Sequence, residues 1–266
     1  MQSHALQAAA DLLRACRNEG RLLSSLPGEC RPESREQGYA VQALSVPEPG
    51  DELFGWKIAA TSVAGQAHIG VDGPLAGRLM RSRVRHSGDC LSLASNHMRV
   101  AECEMAFRMA MDLPPSDRPY SRDEVTAAID ALMPAIEVPD SRYEHFEKAG
   151  APQLIADNAC AREFVLGAAT GVDWRSMDLA GHAVVAHVVD NEGKLLSEHT
   201  GSGANVLGHP LVALTWIANE LSSLGIGLRA GEVVTTGTCL TPVPVNGGEE
   251  VRADFGVLGQ VVVRFR

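Results

Sequence analysis

The segment at residues 101–107 has the sequence AECEMAF and lies between mostly apolar flanks. Strand periodicity places Glu102 and Glu104 on one face, with their Cβ atoms roughly 7 Å apart. Adjacent carboxylates repel each other, and burying them is costly unless a cation lies between them. A divalent cation such as Mg²⁺ or Mn²⁺ meets that need, because both ions favour carboxylate oxygen. The alternative interpretation is an edge strand with one solvated face.

A third carboxylate occurs in the segment PAIEVPD at residues 134–140, which predicts another short strand. Glu137 stands there between two β-branched residues. Such a glutamate usually occupies the outward position of an alternating strand, and that interpretation stays open. With the Glu102–Glu104 pair it would complete three carboxylates around one octahedral ion. Three coordination positions would then remain for water or a chelating substrate.

Helical patterns dominate the first part of the chain. Apolar residues at helical spacing predict helices at residues 3–20 and 32–44, the second closed by the proline-rich stretch that follows it. A capping box that begins at Ser121 predicts a helix running to Met133 and stopped by Pro134.

Short strands dominate the second part. Strand patterns occur at residues 184–189, 232–236, 251–255 and 261–263, a hairpin turn is predicted at residues 190–193, and one inserted helix is predicted from Pro210 to Gly225. This order, with helices first and strands afterwards, differs from a regular βαβα alternation. A TIM barrel or a doubly wound sheet is therefore disfavoured. The expected class is α+β, as one large domain with a helical segment in front and a boundary near residues 46–52.

Charge and composition exclude several classes of protein. The 266 residues carry a net charge of −10, and only 5% are aromatic, which argues against nucleic-acid binding and a polybasic membrane surface. No apolar run is long enough to span a bilayer, and the N-terminus lacks the pattern of a secretory signal. The six cysteines form no C-x-x-C pair, so we expect reduced thiols in a cytoplasmic protein.

Several short motifs follow one another in an order that resembles a known family. They are Gly55-Trp56-Lys57-Ile58, Ile69-Gly70-Val71-Asp72-Gly73-Pro74, Glu102-x-Glu104, Pro134-Ala135-Ile136-Glu137, Ile155-Ala156-Asp157-Asn158, Gly208-His209-Pro210, Thr236-Gly237-Thr238 and Pro242-Val243-Pro244-Val245. This series resembles the 2-keto-4-pentenoate hydratase family of the fumarylacetoacetate hydrolase superfamily. The likeness extends from about residue 52 to the C-terminus, and a helical N-terminus is also typical of that family.

The resemblance implies a fold, a metal and a reaction. The implied fold is a mixed β-roll with peripheral helices, divided into a helical segment at residues 1–51 and a catalytic domain at residues 52–266. The matching carboxylates Glu102, Glu104 and Glu137 would hold Mg²⁺ or Mn²⁺. The implied reaction adds water to 2-hydroxypenta-2,4-dienoate, or its 2-oxo tautomer, and gives a 4-hydroxy-2-oxo acid in aromatic catabolism. A bound dication would polarise the ketone and stabilise the enolate.

Three charged residues are candidates for catalysis. Lys57 is either a lysine whose ammonium reaches the surface or, with the resemblance, the group that neutralises a substrate oxygen or the metal carboxylates. Asp72 lies in a Gly-Pro loop and is either a turn residue or a proton-transfer group. Asp157 is a second candidate acid or base, although Asp157 and Asn158 could equally be a turn pair.

Three polar residues are candidates for substrate binding. Asn158 would form a polar wall of the pocket, and Asn205 would line its substrate end. The glycines around Asn205 are more often a plain loop and lack the spacing of a nucleotide-binding motif. Thr238 resembles the Ser or Thr that members of the family place near the substrate.

Three alternatives to a hydratase stay open. A 2-oxo-3-enedioate (4-oxalocrotonate) decarboxylase would use the same scaffold and metal. An acylpyruvate-type C–C hydrolase would need a His–Glu pair to activate water, and its third metal ligand is commonly Asp rather than Glu. The third alternative is a non-catalytic partner subunit. We expect a small 2-oxo or 2-hydroxydienoate substrate, no nucleic acid, no membrane, a homo-oligomer and association with another enzyme of the pathway.

Overall fold

Two β-sheets organise the chain in the computed structural model, which describes residues 1–46 and 50–266. The strands are β1 (Leu53–Ala59), β2 (Leu75–Met80), β3 (Val84–His86), β4 (Cys90–Leu91), β5 (Val100–Met109), β6 (Ile129–Val138), β7 (Glu163–Leu166), β8 (Ala183–Val189), β9 (Leu195–Ser202), β10 (Val233–Thr238), β11 (Val243–Pro244), β12 (Glu250–Asp254) and β13 (Gln260–Phe265). The α-helices are α1 (Ser3–Glu19), α2 (Arg35–Ser45), α3 (Val63–Ile69), α4 (Arg122–Ala127), α5 (Ala151–Ala156) and α6 (Pro210–Ser223).

The larger sheet carries the segment AECEMAF near its middle. Its strand order is β2-β1-β10-β5-β6-β7-β3, and β11 pairs with the start of β5. The smaller sheet has the order β4-β13-β12-β8-β9. Strands β1 and β10 run parallel, as do β3 and β7, whereas β5 pairs antiparallel with both of its neighbours. The predicted α+β class with a mixed sheet is confirmed.

One predicted helix is largely a strand. The capping box at Ser121 and Glu124 is present, but α4 ends at Ala127, and the chain from Ile129 onward is β6. The apolar run up to Met133 fits either period, and pairing with β5 decided the outcome. Pro134 is tolerated inside β6 because it lies one residue before the segment that pairs with β7. On that side its carbonyl accepts a backbone hydrogen bond, and no N–H is needed there.

The helices at the start of the chain pack on α5. A small apolar cluster joins them through residues such as Leu13, Val41 and Ala156. The amide of Gln42 ties α2 to the core, since its Nε2 donates to the Ala76 carbonyl at 2.9 Å and to the Ile155 carbonyl at 3.0 Å. Residues 47–49 of the expected boundary lie outside the described residues. The division at residue 51 therefore stays a prediction.

The remaining helix and hairpin predictions agree with the structure. Helix α6 begins at Pro210, and the chain turns at Gly225, which adopts a left-handed conformation with φ 72°. The predicted turn at residues 190–193 connects β8 and β9. Among the described residues, no helix combines the length and the apolar character needed to cross a bilayer.

Candidate metal centre

Three glutamates converge on one face of the larger sheet. Glu102 on β5 stands directly opposite Glu137 on β6, and Glu104 follows two residues along the same strand. One carboxylate oxygen from each residue can be chosen so that the three lie within 4.8 Å of one another. Because β5 is flanked by β10 and β6, the alternative of a solvated edge strand is wrong. We call these three residues the glutamate triad.

The glutamate triad is buried at its inner end and opens at the other. Glu104 and Glu137 have no exposed surface, whereas Glu102 is partly exposed. Burial raises the pKa of all three carboxyls, that of Glu104 to about 7. Repulsion between the carboxylates adds to the rise for Glu104 and Glu137, and the charge of Lys57 opposes it. A site that keeps three acids so close in the core favours a bound cation.

Lys57 supplies the one cation that contacts the triad among the described residues. Its Nζ lies 3.0 Å from Glu137 Oε2, and the side chain is 2% exposed, so the interpretation of a surface lysine is wrong. Burial alone would lower the pKa of Lys57, but the neighbouring glutamates raise it above its ordinary value. Lys57 is therefore charged. When all three glutamates are ionised, the one ammonium leaves two negative charges uncompensated.

The oxygens of the triad are incompletely bonded. Glu104 Oε1 and Glu137 Oε1 are buried and accept no hydrogen bond from the described residues. An unpartnered buried carboxylate oxygen is costly, and a hard dication removes that cost. The donor set, the missing partners and the charge of the site therefore fit Mg²⁺ or Mn²⁺.

The far oxygen of Glu104 is fixed by β10. Its Oε2 accepts hydrogen bonds from Thr235 Oγ1 at 2.5 Å and from the Gly237 amide at 2.8 Å. Gly237 has φ 99°, and a Cβ there would lie 2.1 Å from Thr61 Oγ1. Only glycine fits this position. With Oε2 held, Oε1 is the oxygen that remains buried without a donor among the described residues.

The contacts of Thr235 and Gly237 with Glu104 were not predicted from the sequence. Thr235 was not singled out, and Gly237 was noted only within a motif of the resemblance. A signal was nevertheless present, because the polar run TTGT at residues 235–238 interrupts an otherwise apolar strand. A buried threonine beside a glycine in a central strand indicates a contact with a polar partner.

A strained turn holds Lys57 on its other side. Nζ donates to the Ala159 carbonyl at 3.0 Å, and residues 158–160 all have a positive φ of 50–61°. Three consecutive non-glycine residues in this region are unusual and are maintained only by surrounding contacts. Gly77 leaves the necessary room, since a Cβ there would lie 2.4 Å from the Asn158 carbonyl oxygen.

Asp157 and Asn158 line a separate cavity, to which none of the three glutamates contributes. Asp157 Oδ2 accepts from Ser141 Oγ at 2.9 Å and from the Arg142 amide at 2.6 Å. The side-chain amide of Asn158 forms two hydrogen bonds with the backbone of Arg78. Its Oδ1 accepts from the Arg78 N–H at 2.6 Å, and its Nδ2 donates to the Arg78 carbonyl at 2.9 Å. The expectation that Asn158 is a wall of the catalytic pocket and Asp157 an acid or base therefore lacks geometric support, because both side chains brace backbone.

Asp72 is not brought to the triad either. It lies in the loop between α3 and β2, its side chain is 91% exposed, and Arg35 Nη1 is 4.0 Å from its carboxylate. The two other polar candidates are bonded to nearby backbone. Asn205 Nδ2 donates to the Cys239 carbonyl at 2.7 Å, and Thr238 Oγ1 donates to the Leu240 carbonyl at 2.7 Å. Thr238 stands opposite Glu104 in the β10–β5 register.

Comparison with known proteins places this geometry in a family. The family model described as fumarylacetoacetate (FAA) hydrolase C-terminal matches residues 40–266. A 2-keto-4-pentenoate hydratase of Burkholderia vietnamiensis is 33% identical over 98% of each chain. Another 2-keto-4-pentenoate hydratase, from Paraburkholderia xenovorans, is 30% identical over 97% of this chain and 94% of that protein.

A solved structure is similar over the whole chain. The 4-oxalocrotonate decarboxylase of Pseudomonas putida G7, complexed with magnesium and adipate, superposes with a TM-score of 0.87. It is 26% identical, and the match covers 100% of this chain and 99% of that one.

Proposed function

The chain belongs to the fumarylacetoacetate hydrolase family, and we propose that it is a divalent-metal-dependent hydratase. Its substrate is 2-hydroxypenta-2,4-dienoate (2-keto-4-pentenoate) or a substituted analogue formed in aromatic catabolism, and its product is a 4-hydroxy-2-oxo acid. The observation that carries this proposal is the buried glutamate triad beside a charged Lys57. Hydratases at 30–33% identity over nearly the full length support the reaction.

Glu102, Glu104 and Glu137 are the proposed metal ligands. When bound there, Mg²⁺ or Mn²⁺ supplies a Lewis acid for the 2-oxo oxygen of a chelating 2-oxo acid. Thr235 and Gly237 orient Glu104 for that task through its Oε2. The partial exposure of Glu102 leaves the substrate a way in.

Lys57 is the proposed electrostatic partner of the substrate. An ammonium group has three N–H donors. Lys57 Nζ donates one to the Ala159 carbonyl, and the ion pair with Glu137 Oε2 at 3.0 Å engages a second side of the group. The third is available to a substrate oxygen on which negative charge develops during ketonisation and hydration. Because its pKa is raised, Lys57 holds its proton and acts as a fixed positive charge rather than as a base.

Asp72 remains our proposed proton-transfer group, because the motif that contains it matches the family and the structure leaves its carboxylate unburied. The replacement Asp72→Asn should lower kcat by about a hundredfold or more, since general acid–base groups contribute on that scale. Stopped-flow assays at saturating Mg²⁺ measure this, with Asp117→Asn, an exposed aspartate near α4, as control. Unchanged turnover would remove Asp72 from the mechanism. Asn205 and Thr238 remain proposed contacts of the substrate.

The test of the proposed function is turnover of two substrates with and without a chelator. We expect Mg²⁺-dependent loss of 2-hydroxypenta-2,4-dienoate with formation of a 4-hydroxy-2-oxo acid. We expect no CO₂ release from a 2-hydroxymuconate-type diacid. Removal of the metal should abolish the activity and its return should restore it. Metal-independent turnover would contradict the proposal.

A second candidate is decarboxylation of a 2-oxo-3-enedioate. The observation that favours it is the similarity to the decarboxylase complexed with magnesium and adipate. Release of CO₂ from the diacid in the same assay would select this reaction. No observation favours a C–C hydrolase or a non-catalytic subunit.

Assembly, location and domain division complete the proposal. We propose a homo-oligomer in the cytoplasm, able to associate with another enzyme of the pathway. All six cysteines lie within the described residues and none forms a disulfide, in keeping with a reducing compartment. Light scattering of purified protein tests the oligomer. We keep the division into a helical segment at residues 1–51 and a catalytic domain at residues 52–266.

A further inference from the structure

The polar cavity that Asp157 and Asn158 line lies beside the N-terminal helices and has no part in the proposed reaction. Its volume is about 50 Å³, and its walls come from α1, β2 and the segments around β6 and α5. Five arginines line it, namely Arg17, Arg78, Arg83, Arg142 and Arg162. We call it the arginine cavity. None of the three glutamates of the triad takes part in its lining.

The charge of the arginine cavity is opposite to that of the whole chain. Its acidic lining residues are Asp51, Asp140 and Asp157, so the lining carries an excess of two positive charges, one of which, Arg83, pairs with Glu163 outside the lining. The chain as a whole carries a net charge of −10. Concentrating arginines in one cavity of an acidic protein is unfavourable unless an anion compensates for them.

The inner end of the cavity holds an incompletely paired guanidinium. The Arg142 side chain is 2% exposed, and its Nη1 has no hydrogen-bond partner among the described residues. Its Nη2 contacts Asp140 Oδ2, and the same oxygen accepts from Arg162 Nη1 at 2.6 Å. One buried and one partly buried guanidinium group thus share one carboxylate oxygen. Burial lowers the pKa of Arg142, and the charges of Arg162 and Arg17 lower it further.

The other end of the cavity is accessible to solvent. The Arg83 side chain is 41% exposed, and its Nη1 pairs with Glu163 Oε1 at 2.9 Å. Asp51 at the same end is half-buried, and its carboxylate is occupied by Ser82. An ion could therefore enter past Arg83 and reach Arg142.

The size of the cavity restricts its occupant. A water molecule requires about 10–15 Å³ of such space, so about 50 Å³ corresponds to a few waters or to one small polyatomic ion. Guanidinium groups bind carboxylate and phosphate oxygens through paired hydrogen bonds. The guanidinium groups and the cavity volume therefore both favour a small oxyanion as the ligand.

We propose that the arginine cavity is a binding site for a small oxyanion, a phosphate or a short carboxylate, held by Arg142 at its inner end and by Arg83 at its entrance. This site is separate from the glutamate triad. It does not depend on the proposed reaction.

Isothermal titration calorimetry of the magnesium-loaded protein tests this site, with sodium phosphate in one arm and sodium acetate in the other at constant ionic strength. We expect one oxyanion per chain, and the arm that binds identifies the ligand class. Arg83→Gln should weaken binding by at least about tenfold, the usual effect of losing one hydrogen bond to a charged group. Arg142→Gln should abolish it.

Arg85→Gln is the matched control. Arg85 Nη2 pairs with the same Glu163 at 2.9 Å but does not line the cavity, so its loss should leave affinity unchanged. The Arg83 variant keeps the test valid if the Arg142 variant does not fold. Absence of binding in both arms would overturn the proposal. So would affinity that survives Arg83→Gln, because the anion would then be bound elsewhere, for example at the magnesium ion.

Discussion

Buried carboxylates occur in two regions of this protein, and the chain treats them in opposite ways. In the glutamate triad, Oε1 of Glu104 and of Glu137 have no hydrogen-bond donor among the described residues. Around the arginine cavity, Asp140 accepts from the His97 amide at 2.7 Å and from Arg162 at 2.6 Å, and Asp157 accepts from Ser141 and Arg142. Carboxylate oxygens left without a donor are available to a ligand, whereas those that accept hydrogen bonds brace the fold.

This difference separates residues that looked alike in the sequence. Glu104 and Asp157 are both buried acids in motifs of the same family resemblance. The unpartnered Oε1 of Glu104, rather than burial, supports our proposal that Glu104 is a metal ligand and that Asp157 belongs to the scaffold. The predictions below test that contrast, beginning with the largest expected effect.

Removing one acid of the triad should have the largest effect. Glu104→Gln keeps the size of the side chain but removes a ligand charge. We expect kcat/KM with Mg²⁺ to fall by about a thousandfold or more, since Lewis-acid stabilisation is lost. Steady-state kinetics measure it, with circular dichroism to verify folding.

Glu163→Gln is the matched control for this variant, because Glu163 lies on β7 beside β6 but pairs with arginines outside the triad. It should turn over near the wild-type rate. Wild-type turnover by the Glu104 variant itself would contradict the assignment of the carboxylates.

Removing the cation of the triad should have a smaller effect. Lys57→Met keeps an apolar stem of similar length but removes the ammonium beside Glu137. We expect kcat to fall by about a hundredfold while Mg²⁺ still binds, since one electrostatic contact with the substrate is lost. Lys194→Met, at an exposed turn, serves as control. A variant with normal kcat would show that Lys57 only balances charge in the free enzyme.

Replacing an acid of the scaffold should change stability rather than turnover. Asp157→Ala removes the acceptor of two buried hydrogen bonds and should lower the free energy of unfolding by about 2–3 kcal/mol. Asp157→Asn keeps an acceptor oxygen and should retain both stability and kcat. Urea unfolding and kinetics on the two variants decide this. An active-site acid would instead lose its turnover in the asparagine variant, and that result would break the contrast.

The pH dependence of stability gives the smallest effect. In metal-free protein the pKa of Glu104 is raised to about 7, so the folded state binds a proton more tightly than the unfolded state does. The stability that protonation of Glu104 contributes to the folded state is present at low pH and is lost as the pH rises through 7. We expect the metal-free protein to lose about 1 kcal/mol between pH 6 and pH 8.

Urea unfolding at the two pH values, with a chelator present, measures this loss. The Glu104→Gln variant cannot ionise at this position and should lack that part of the dependence. A wild-type protein that is equally stable at both pH values, or more stable at pH 8, would contradict the raised pKa of the buried Glu104.

The sequence predicted much of the fold and the acids of the triad because those features follow local rules. Alternation in a strand puts Glu102 and Glu104 on one face whatever the neighbours are, and Pro210 marks a helix start. The helix expected up to Met133 was wrong because the apolar run fits both periods, and only pairing with β5 selects the strand.

The rest of the site depends on contacts that no local rule provides. Asp157 and Asn158 bond to the backbone of other segments, and residues 158–160 form a left-handed turn without glycine that the sequence does not predict. The donors to Glu104 come from β10, about 130 residues further along the chain. Asp72 was expected to be either a turn residue or a proton-transfer group, and its loop leaves the carboxylate at the surface.

The most direct test of the account is the position of a manganese ion in a crystal of the protein. Mn²⁺ is detected by its anomalous scattering and replaces Mg²⁺ at carboxylate sites. We predict one strong anomalous peak per chain, coordinated by Glu102, Glu104 and Glu137, and its disappearance in Glu104→Gln crystals. A peak at any other group of residues, or three glutamates turned apart with no peak between them, would contradict the metal centre on which the proposed reaction depends.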